Sequence, residues 1–274
     1  MNQSDRAFKR VLLVGKNSFL AREVLGIQSD DLFLDAVSHS AGLASVDAVS
    51  YDAVINMAYD PWFMRQLYQE QIDFDLAVAK RVAKSRAHFV MMSTRRVYGA
   101  AAPFHITEEC HPEPTEHYGR NKLRSENAVR DLLGSRCTIL RVANVFGFEP
   151  GRHTFFGVAL QTLKQSNRIL LDVSPFVKRD FIYIQDFAHI LRRVLVHCPQ
   201  GVFNLGSGCA TPLGRIALGI IEGYQSGELV VTSPVERDSF ELDIHRLTSC
   251  IGSMDSPMDI HSRCVEIGRK LRDA

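Results

Sequence analysis

The sequence has no long apolar run, no concentration of one charge and no closely spaced pair of cysteines. Its longest apolar runs, such as VLLV and FVMM, have the length of a β-strand and are too short to cross a bilayer. The stretch MNQSDRAFKR leads into only four strongly apolar residues before Gly15, which is not the core of a signal peptide. We therefore expect no membrane association and a cytoplasmic location.

Charge and cysteine usage argue against a nucleic-acid-binding protein and against a protein built around disulfides or a metal site. The 32 Lys and Arg residues balance 31 Asp and Glu residues, which gives a net charge of +1. We therefore predict no basic surface for binding nucleic acid. The six cysteines include no C-x-x-C, and the ten histidines include no pair at metal-ligand spacing. We expect reduced thiols and no metal site. The 274 residues, 46% of them hydrophobic, suffice for one large domain or two small ones.

The N-terminal region has the pattern of a strand, a tight turn and a helix. Residues 9–14 are an apolar run that ends at Gly15, and KNSFLAREVL after it has helical apolar spacing. The turn reads G-x-x-S-x-x-A, and small residues there would let a pyrophosphate approach the helix N-terminus. An ordinary strand-to-helix turn is an equally good interpretation of this segment alone. The residues of the turn that we predict to contact a cofactor are Gly15, Ser18, Phe19, Leu20 and Ala21.

Two more strands are predicted at 32–40 and 51–59. An acid at the tip of the first would bind the ribose of NAD, whereas a basic residue would favour NADP; Asp35 and His39 are the candidates, and they leave this choice open. Met57 and Ala58 end the second strand, where they would lie beneath the cofactor. Only about ten residues separate the strands, which is too few for a crossover of a dozen or more. The sheet is therefore predicted to be trimmed at one edge, where it would lack a further strand and its helices.

Helical apolar spacing predicts a long helix at 62–86, and the apolar run after it predicts a buried strand at 88–99. The strand has an abrupt polar ending that contains Ser93 and Thr94. Open α/β sheets bind ligands outside the carboxyl ends of their strands, so these hydroxyls are candidate site residues. Turn formation is the alternative role for both.

A candidate catalytic pair follows in the stretch EHYGRNKLRSE, residues 116–126. If this stretch is helical, Tyr118 and Lys122 are four residues apart and share one face. A free phenol has a pKa of about 10, and a nearby ammonium lowers it toward the range that suits acid–base catalysis. For the pair alone, a surface helix with a half-buried Tyr and a solvated Lys is the favoured interpretation, so the catalytic role depends on the rest of the sequence.

The pattern of predicted strands and helices changes after the next strand, 138–142. Short strands near 170, 182 and 204 are mixed with amphipathic segments at 187–197 and 213–224. We predict an α/β protein with a doubly wound Rossmann-type parallel sheet and a smaller C-terminal substrate-binding lobe. The dinucleotide-binding domain is placed at 1–148, with the chain returning to it around 180–206, and the lobe mainly at 149–274.

Seven motifs occur in an order that points to one family. They are VLLVGKNSFLA, YDAVINMAY, STRRVYG, YGRNK, LRVANVFG, RDFIYIQDFA and FNLGSG. Together they resemble the extended short-chain dehydrogenase/reductase family, which comprises nucleotide-sugar epimerases, dehydratases and ketoreductases. The resemblance covers nearly the whole chain and implies NAD or NADP as cofactor, a nucleotide sugar as substrate and a homodimer.

The resemblance also implies a role for each matching residue. Thr94 is similar to the catalytic hydroxyl, Tyr118 to the acid–base residue and Lys122 to its partner, which also holds the nicotinamide ribose. Ser93 would touch the substrate. Three residues resemble positions that contact the nucleotide diphosphate, namely Asn144, Arg179 and Arg237. The planar guanidinium of an arginine binds phosphate oxygens through paired hydrogen bonds. An ordinary surface role is the alternative for Arg237.

Departures from the family pattern narrow the reaction. The family's 4,6-dehydratases carry Asp and Glu after the catalytic Thr, whereas this chain has Arg95 and Arg96, which argues against water elimination. An Asn expected near the start of the 62–86 helix is absent. The pattern implies an NAD(P)H-dependent reductase for the 4-keto group of a nucleoside-diphosphate keto-deoxy sugar, with the proton coming from Tyr118. A nucleotide-sugar C4 epimerase and a non-catalytic nucleotide-binding relative are the alternatives.

Overall fold

The computed structural model describes residues 9–27, 30–39, 48–252 and 259–274, which form eight helices and thirteen strands in these ranges. The strands are β1 (Lys9–Val14), β2 (Leu32–Val37), β3 (Ala53–Asn56), β4 (His88–Thr94), β5 (His105–Ile106), β6 (Cys137–Val142), β7 (Asn144–Phe146), β8 (Arg168–Leu171), β9 (Lys178–Tyr183), β10 (Gly201–Leu205), β11 (Ala210–Pro212), β12 (Glu228–Val231) and β13 (Glu241–Leu242). The helices are α1 (Phe19–Gly26), α2 (Phe74–Val82), α3 (His117–Leu133), α4 (Phe155–Ser166), α5 (Ile184–His197), α6 (Leu213–Tyr224), α7 (His245–Ile251) and α8 (Ile260–Asp273).

The centre of the molecule is a six-stranded sheet in the order β2-β1-β3-β4-β6-β10, and all neighbouring strands are parallel. Its inner strands β1, β3, β4 and β6 are largely buried on both faces, as expected where helices cover a parallel sheet, whereas the edge strand β2 is only partly buried. Val11 and Leu13 belong to the core on the side of α1 and α5, whereas Leu12 and Val14 belong to the core beside α2 and α3. The predicted Rossmann-type doubly wound fold is confirmed.

The trimmed edge of this sheet is at β2. Strand β2 pairs only with β1 among the described strands, in a register that joins Lys9 to Leu32 and Val14 to Val37. Strand β1 then passes directly to β3 on its other side. The short connection between the second and third strands therefore agrees with the prediction that the sheet lacks further strands at this edge, within the part of the chain that the structure describes.

The predicted helix at 62–86 is wrong over its first half. Two short 3₁₀ helices, Pro61–Met64 and Glu70–Ile72, precede α2, which starts only at Phe74. Asn121 of α3 donates its side-chain amide to the carbonyls of Phe63 at 2.8 Å and Gln66 at 2.9 Å. Those carbonyls would accept intrahelical bonds in a continuous helix. The contact with α3 thus holds this segment in another conformation.

The C-terminal half adds smaller sheets and the five helices α4 to α8 around the central sheet. Strands β7, β9 and β11 form one sheet, and β8 pairs with β12 and β5 with β13. The chain returns to the central sheet at β10, and α5 packs against α1. One buried cluster contains residues from both halves, among them Val11, Leu140, Leu160 and Leu271. The division at 148 stays a prediction.

Three further features bear on sequence expectations. All six cysteines are free thiols. No helix in the described ranges is long and apolar enough to cross a membrane. The described residues contain no group of three or more His, Cys, Asp or Glu side chains that could hold a metal ion.

Candidate active site

The candidate site is built at the carboxyl end of β4, near the middle of the sheet. Thr94 is the last residue of this strand and caps the 3₁₀ helix Arg95–Tyr98, because its Oγ1 accepts a hydrogen bond from the amide of Arg96 at 3.3 Å. Helix α3 lies directly against this turn. A Cβ atom on Gly119 would be 2.5 Å from the carbonyl oxygen of Arg96. This close approach packs the first turn of α3, which contains Tyr118, against the turn that follows β4.

The role of Gly119 gives a first prediction. We expect Gly119→Ala to lower both stability and turnover, because the added methyl group collides with backbone and must push α3 away from Thr94. The matched control is Gly26→Ala, at the last residue of α1, where a Cβ meets nothing within 4 Å. Alanine is favoured over glycine in a helix by roughly 0.8–1.0 kcal/mol, so the control should be neutral or stabilising. Thermal unfolding and steady-state rates of the two variants check this; equal behaviour would contradict it.

Lys122 lies one turn after Tyr118 on α3 and is almost completely buried. Its Nζ donates to Asp75 Oδ2 at 2.6 Å and to the carbonyl of Met92 at 2.8 Å. The other oxygen of Asp75 accepts from Asn56 Nδ2 at 2.7 Å. Sequence reasoning missed Asp75. The available signal was an acid on the apolar face of a helix, where carboxylates are rarely buried without a partner.

The environment of Tyr118 corrects one sequence expectation. Burial raises the pKa of Tyr118 above the ordinary value of 10.0. The charge of Lys122 acts in the predicted downward direction, but it does not outweigh burial together with the opposing influence of Asp75 and Tyr59. For Lys122, burial alone would lower the pKa, whereas Asp75 and Tyr118 raise it, so the ammonium stays charged. At neutral pH the site therefore contains a neutral phenol beside an ammonium–carboxylate pair.

The turn after β1 lies close against the end of β3. Gly15 has a φ of 96°, in the region that favours glycine, and a Cβ there would be 2.7 Å from the amide nitrogen of Ala58. Ser18 caps α1 by accepting a hydrogen bond from the amide of Ala21 at 3.1 Å, and Ala21 is fully buried. Gly15 thus brings the turn next to Met57 and Ala58, and the start of α1 is suited to a pyrophosphate.

The two apolar residues of the turn have packing roles that fit this arrangement. Leu20 packs against the main core, and the ring of Phe19 lies 4.6 Å from the guanidinium carbon of Arg152. These contacts fix the start of α1 relative to the chain after β7. Contact of Phe19 and Leu20 with a cofactor stays a prediction.

Neither candidate at β2 resolves the choice between cofactors. Asp35 lies within β2, opposite Leu12, and its carboxylate accepts a hydrogen bond from the hydroxyl of Tyr51 at 2.8 Å. The structure therefore does not bring Asp35 to the strand tip, which follows Val37. His39 comes after that tip, where its ring contacts Phe74 edge-on at 6.2 Å. Of the two residues, His39 lies closer to the strand end that binds ribose in this fold.

Ser93 is placed differently from the prediction. Its hydroxyl donates to Glu126 in the interior, and Glu126 also accepts from Arg141 Nη2 at 2.7 Å. Successive residues of a strand point to opposite faces, so Ser93 and Thr94 diverge although they are adjacent. Ser93 supports the wall of the site, and nothing in its surroundings favours contact with a substrate.

The predicted diphosphate residues fall into two groups. Asn144 begins β7, which runs beside the strand of Arg179. Arg179 donates through Nε to the carbonyl of Asp238 at 3.2 Å, and Arg95 grips the carboxylate of Asp238 with two bonds of 2.6 Å. Burial would raise the pKa of Asp238, but the hydrogen bonds and charge of Arg95 and the charge of Arg179 hold it below its usual value. Arg95 is a further candidate that the sequence did not assign to binding.

Arg237 does not join this group. Its exposed side chain pairs with Asp172 at 3.0 Å on the surface. The adjacent residue, Asp238, has a φ of 63°. Asp238, not Arg237, is the residue that this segment directs toward Arg95 and Arg179.

Comparison with known proteins agrees with this architecture. RMD from Pseudomonas aeruginosa, solved in complex with NADPH, is 22% identical and superposes with a TM-score of 0.76 over 97% of this chain and 99% of that one. The UDP-N-acetylglucosamine 4-epimerase from Methanobrevibacter ruminantium M1, solved with UDP-N-acetylmuramic acid, is 17% identical with a TM-score of 0.79, covering 96% and 97%. TunA, an NAD-dependent NDP-hexosamine 5,6-dehydratase of tunicamycin biosynthesis, is 16% identical with a TM-score of 0.79, covering 97% and 98%.

At these identities the likeness to solved structures establishes the fold. The family comes from a separate comparison, in which residues 23–206, more than half of the chain, match the model of one enzyme family. The matched segment includes the end of β4, the turn after it and the whole of α3. The chain therefore belongs to the NAD dependent epimerase/dehydratase family, whose members are enzymes that use NAD(P).

Proposed function

We propose that this protein is an NAD(P)H-dependent reductase that converts the 4-keto group of a nucleoside-diphosphate keto-deoxy sugar to an alcohol. The observation that carries the proposal is the position of Tyr118 one helical turn before Lys122, whose ammonium is held by Asp75 and by the carbonyl of Met92. Burial raises the pKa of Tyr118, which favours the protonated phenol. Reduction of a ketone needs a proton donor at this position, whereas the oxidation that starts an epimerisation needs a base. A neutral phenol suits the reductive direction.

The residues after Thr94 support a reductase over a dehydratase. Water elimination needs a group that can give and take a proton, and a guanidinium does not lose its proton at physiological pH. Arg95 is bound to Asp238 and Arg96 to Glu116. Neither arginine can replace the carboxylates that dehydratases of this family carry at these positions.

Each residue of the site has a defined task in the proposed reaction. NAD(P)H, when bound, supplies the hydride. Tyr118 donates its phenolic proton to the carbonyl oxygen of the sugar, and the Lys122 ammonium stabilises the phenolate that remains. Thr94 accepts the amide proton of Arg96 at its oxygen, which leaves its own proton for a hydrogen bond to the same sugar oxygen. Two donors then fix the carbonyl for reduction.

The arginine group supports an anionic substrate. Arg95 and Arg179 share the single carboxylate of Asp238, so this part of the site carries an excess of positive charge. Guanidinium groups bind phosphate oxygens through paired hydrogen bonds. The nucleoside diphosphate is proposed to bind here, with Asn144 on the neighbouring strand. The epimerase from M. ruminantium, whose fold is similar, was solved with a sugar nucleotide.

The homodimer stays a prediction. The segment that precedes α2 exposes the apolar side chains of Trp62, Met64 and Leu67 next to α3. A symmetry-related copy that packs α2 and α3 against their equivalents would cover this surface.

The reaction is tested by mixing the purified protein with a nucleoside-diphosphate 4-keto-6-deoxy sugar and either NADPH or NADH. We expect the absorbance of the reduced nicotinamide to fall in proportion to the alcohol formed, because every reduction consumes a hydride. Running both cofactors side by side decides the preference that Asp35 and His39 leave open.

Two outcomes would contradict the proposal. Interconversion of two sugar nucleotides without net loss of reduced cofactor would show that the protein is an epimerase. Retention of a nucleotide without turnover of any keto sugar would instead support the non-catalytic alternative. Tyr98→Phe is a suitable control protein, since its hydroxyl bonds Asn204 at 2.7 Å in the core.

A further inference from the structure

The mechanism above leaves one buried carboxylate of the site without a role. Asp75 is 3% exposed and makes an ion pair with Lys122 at 2.6 Å, and it is held from the other side by Asn56 at 2.7 Å. Burying this pair is costly unless the geometry is good and the remaining polar atoms are satisfied. A buried charge beside a catalytic lysine therefore requires a specific explanation.

The surroundings of Asp75 require an acceptor-only group. Asn56 Nδ2 and Lys122 Nζ are both donors, and each carboxylate oxygen receives one of them. An asparagine at position 75 would turn an N–H toward one of these donors, since an amide has one acceptor oxygen only. Asp75 is thus bound in its ionised form, although burial raises its pKa.

The same contacts determine the direction of the Lys122 ammonium. An ammonium has three N–H donors, of which one points to Asp75 and one to the carbonyl of Met92. The third is left for Tyr118 or for a cofactor hydroxyl. The hydrogen bonds to Asp75 and to the Met92 carbonyl of β4 therefore fix the orientation of the Lys122 ammonium from two sides.

We infer that Asp75 is a positioning residue that aims the Lys122 ammonium and partly neutralises its charge, so that Tyr118 acts as a proton donor. The inference rests on the proposed reduction. A bare ammonium would favour the phenolate of Tyr118, and a phenolate cannot protonate the sugar oxygen. The negative charge of Asp75 opposes this effect.

The charged and titratable groups around Tyr118 and Lys122 come from α2 and its N-cap, from the loop after β3 and from the 3₁₀ helix Arg95–Tyr98. The pKa of Tyr118 is raised by burial, lowered by Lys122, raised by Asp75 and Tyr59, and lowered by Arg96. Lys122 is influenced in addition by Asp73. Removing the negative charge of Asp75 lowers the pH at which the Tyr118–Lys122 pair loses its first proton, whichever of the two groups releases it. The alkaline limb of the pH profile is therefore expected to move to lower pH whether Tyr118 or Lys122 releases that proton.

The test is the pH profile of Asp75→Asn. A reductase that needs protonated Tyr118 loses activity at high pH, and we expect this alkaline limb of kcat to move to lower pH by roughly 1–3 units. We also expect kcat at neutral pH to fall by about 10- to 100-fold, because Lys122 is no longer aimed. An alkaline limb that stays in place or moves to higher pH would overturn the inference.

Asp73→Asn is the matched control, because Asp73 is equally buried and only two residues away. Its carboxylate caps α2 by accepting from the amide of Leu76 at 3.0 Å and binds Ser125 at 2.6 Å and Tyr68 at 2.8 Å. We expect this variant to lose stability and to move its alkaline limb in the same direction but by much less, because Asp73 makes no bond to Lys122 and is the weaker influence on it. A limb that shifts as far as in Asp75→Asn would overturn the specific role of Asp75.

A double-mutant cycle protects the test against misfolding of the single variant. Lys122→Met combined with Asp75→Asn removes both charges and leaves no unpaired ion in the core. If Asp75 acts through Lys122, adding Asp75→Asn to Lys122→Met should change kcat by less than about twofold. A further loss as large as in the parent background would show that Asp75 acts independently of Lys122.

A spectroscopic titration separates this inference from the proposed reaction. The ultraviolet absorbance of tyrosinate, corrected with Tyr118→Phe in each background, follows the ionisation of Tyr118 among seven tyrosines without any substrate. We expect Tyr118 to ionise at lower pH in Asp75→Asn than in the parent. This result would support the role of Asp75 even if no keto sugar were reduced, and an unchanged midpoint would overturn it even if reduction were observed.

Discussion

Tyr118→Phe is expected to lower kcat by roughly 10²–10⁴, the usual contribution of general acid–base catalysis. The change removes one hydroxyl from a residue of α3 and leaves its ring, so the close approach of Gly119 to the turn after Thr94 is kept. The Michaelis constant should change little, because the phenol donates its proton in the transition state and contributes little to binding the ground state. Initial rates with a saturating keto-sugar nucleotide give both constants.

The control for this prediction is Tyr98→Phe. Tyr98 is 1% exposed, and its hydroxyl bonds Asn204 in the core, where it cannot reach a substrate. We expect the control to lose about 1 kcal/mol of stability from the missing hydrogen bond and to keep its turnover. Turnover that survives in Tyr118→Phe, with folding intact in both proteins, would rule out Tyr118 as the proton donor.

The second large effect is expected from Glu126→Gln, which acts on stability. Glu126 is 1% exposed and accepts hydrogen bonds from Ser93 and from Arg141, which is itself 5% exposed. Glutamine leaves the charge of Arg141 buried without a counterion. Breaking a buried pair in this way costs about 3–5 kcal/mol. Urea denaturation should show a lower midpoint with an unchanged slope.

A surface ion pair provides the comparison. Glu70 and Lys80 are bonded but both are more than half exposed. Exposed pairs contribute about 0–1 kcal/mol, so Glu70→Gln should leave the midpoint nearly unchanged. If Glu126→Gln were as mild as Glu70→Gln, the buried network beneath β4 would not contribute to stability as described.

Elements with strong local signals were predicted well from the sequence. The strand at 9–14 is an apolar run closed by Gly15, and the observed β1 has the same bounds. The amphipathic segment at 213–224 coincides with α6. The spacing of Tyr118 and Lys122 predicted a helix, and α3 contains both residues. In each case the information lies within a few neighbouring residues.

Features that depend on distant partners were missed or misplaced. The helix predicted at 62–86 is interrupted because Asn121 binds the carbonyl of Phe63, which is 58 positions away. Asp75 reaches Lys122 across 47 positions, and Arg95 reaches Asp238 across 143. Periodicity contains no information about such contacts.

The charge state of the site likewise depends on residues that are distant in the sequence. A helical spacing of four predicts that Lys122 acts on Tyr118, and it does. It does not reveal that Asp75 on another helix offsets that ammonium, or that burial of the phenol has the larger effect. The net direction of the pKa of Tyr118 therefore required the tertiary structure.

The central claim, that Tyr118 protonates a sugar carbonyl while the nicotinamide reduces it, is tested most directly by isotope transfer. The protein is incubated with a keto-sugar nucleotide and NADPH that carries deuterium at the transferable position, and the products are analysed by mass spectrometry. The account predicts an alcohol that contains one deuterium for each cofactor oxidised. A sugar product without deuterium, or one formed while the cofactor stays reduced, would contradict it.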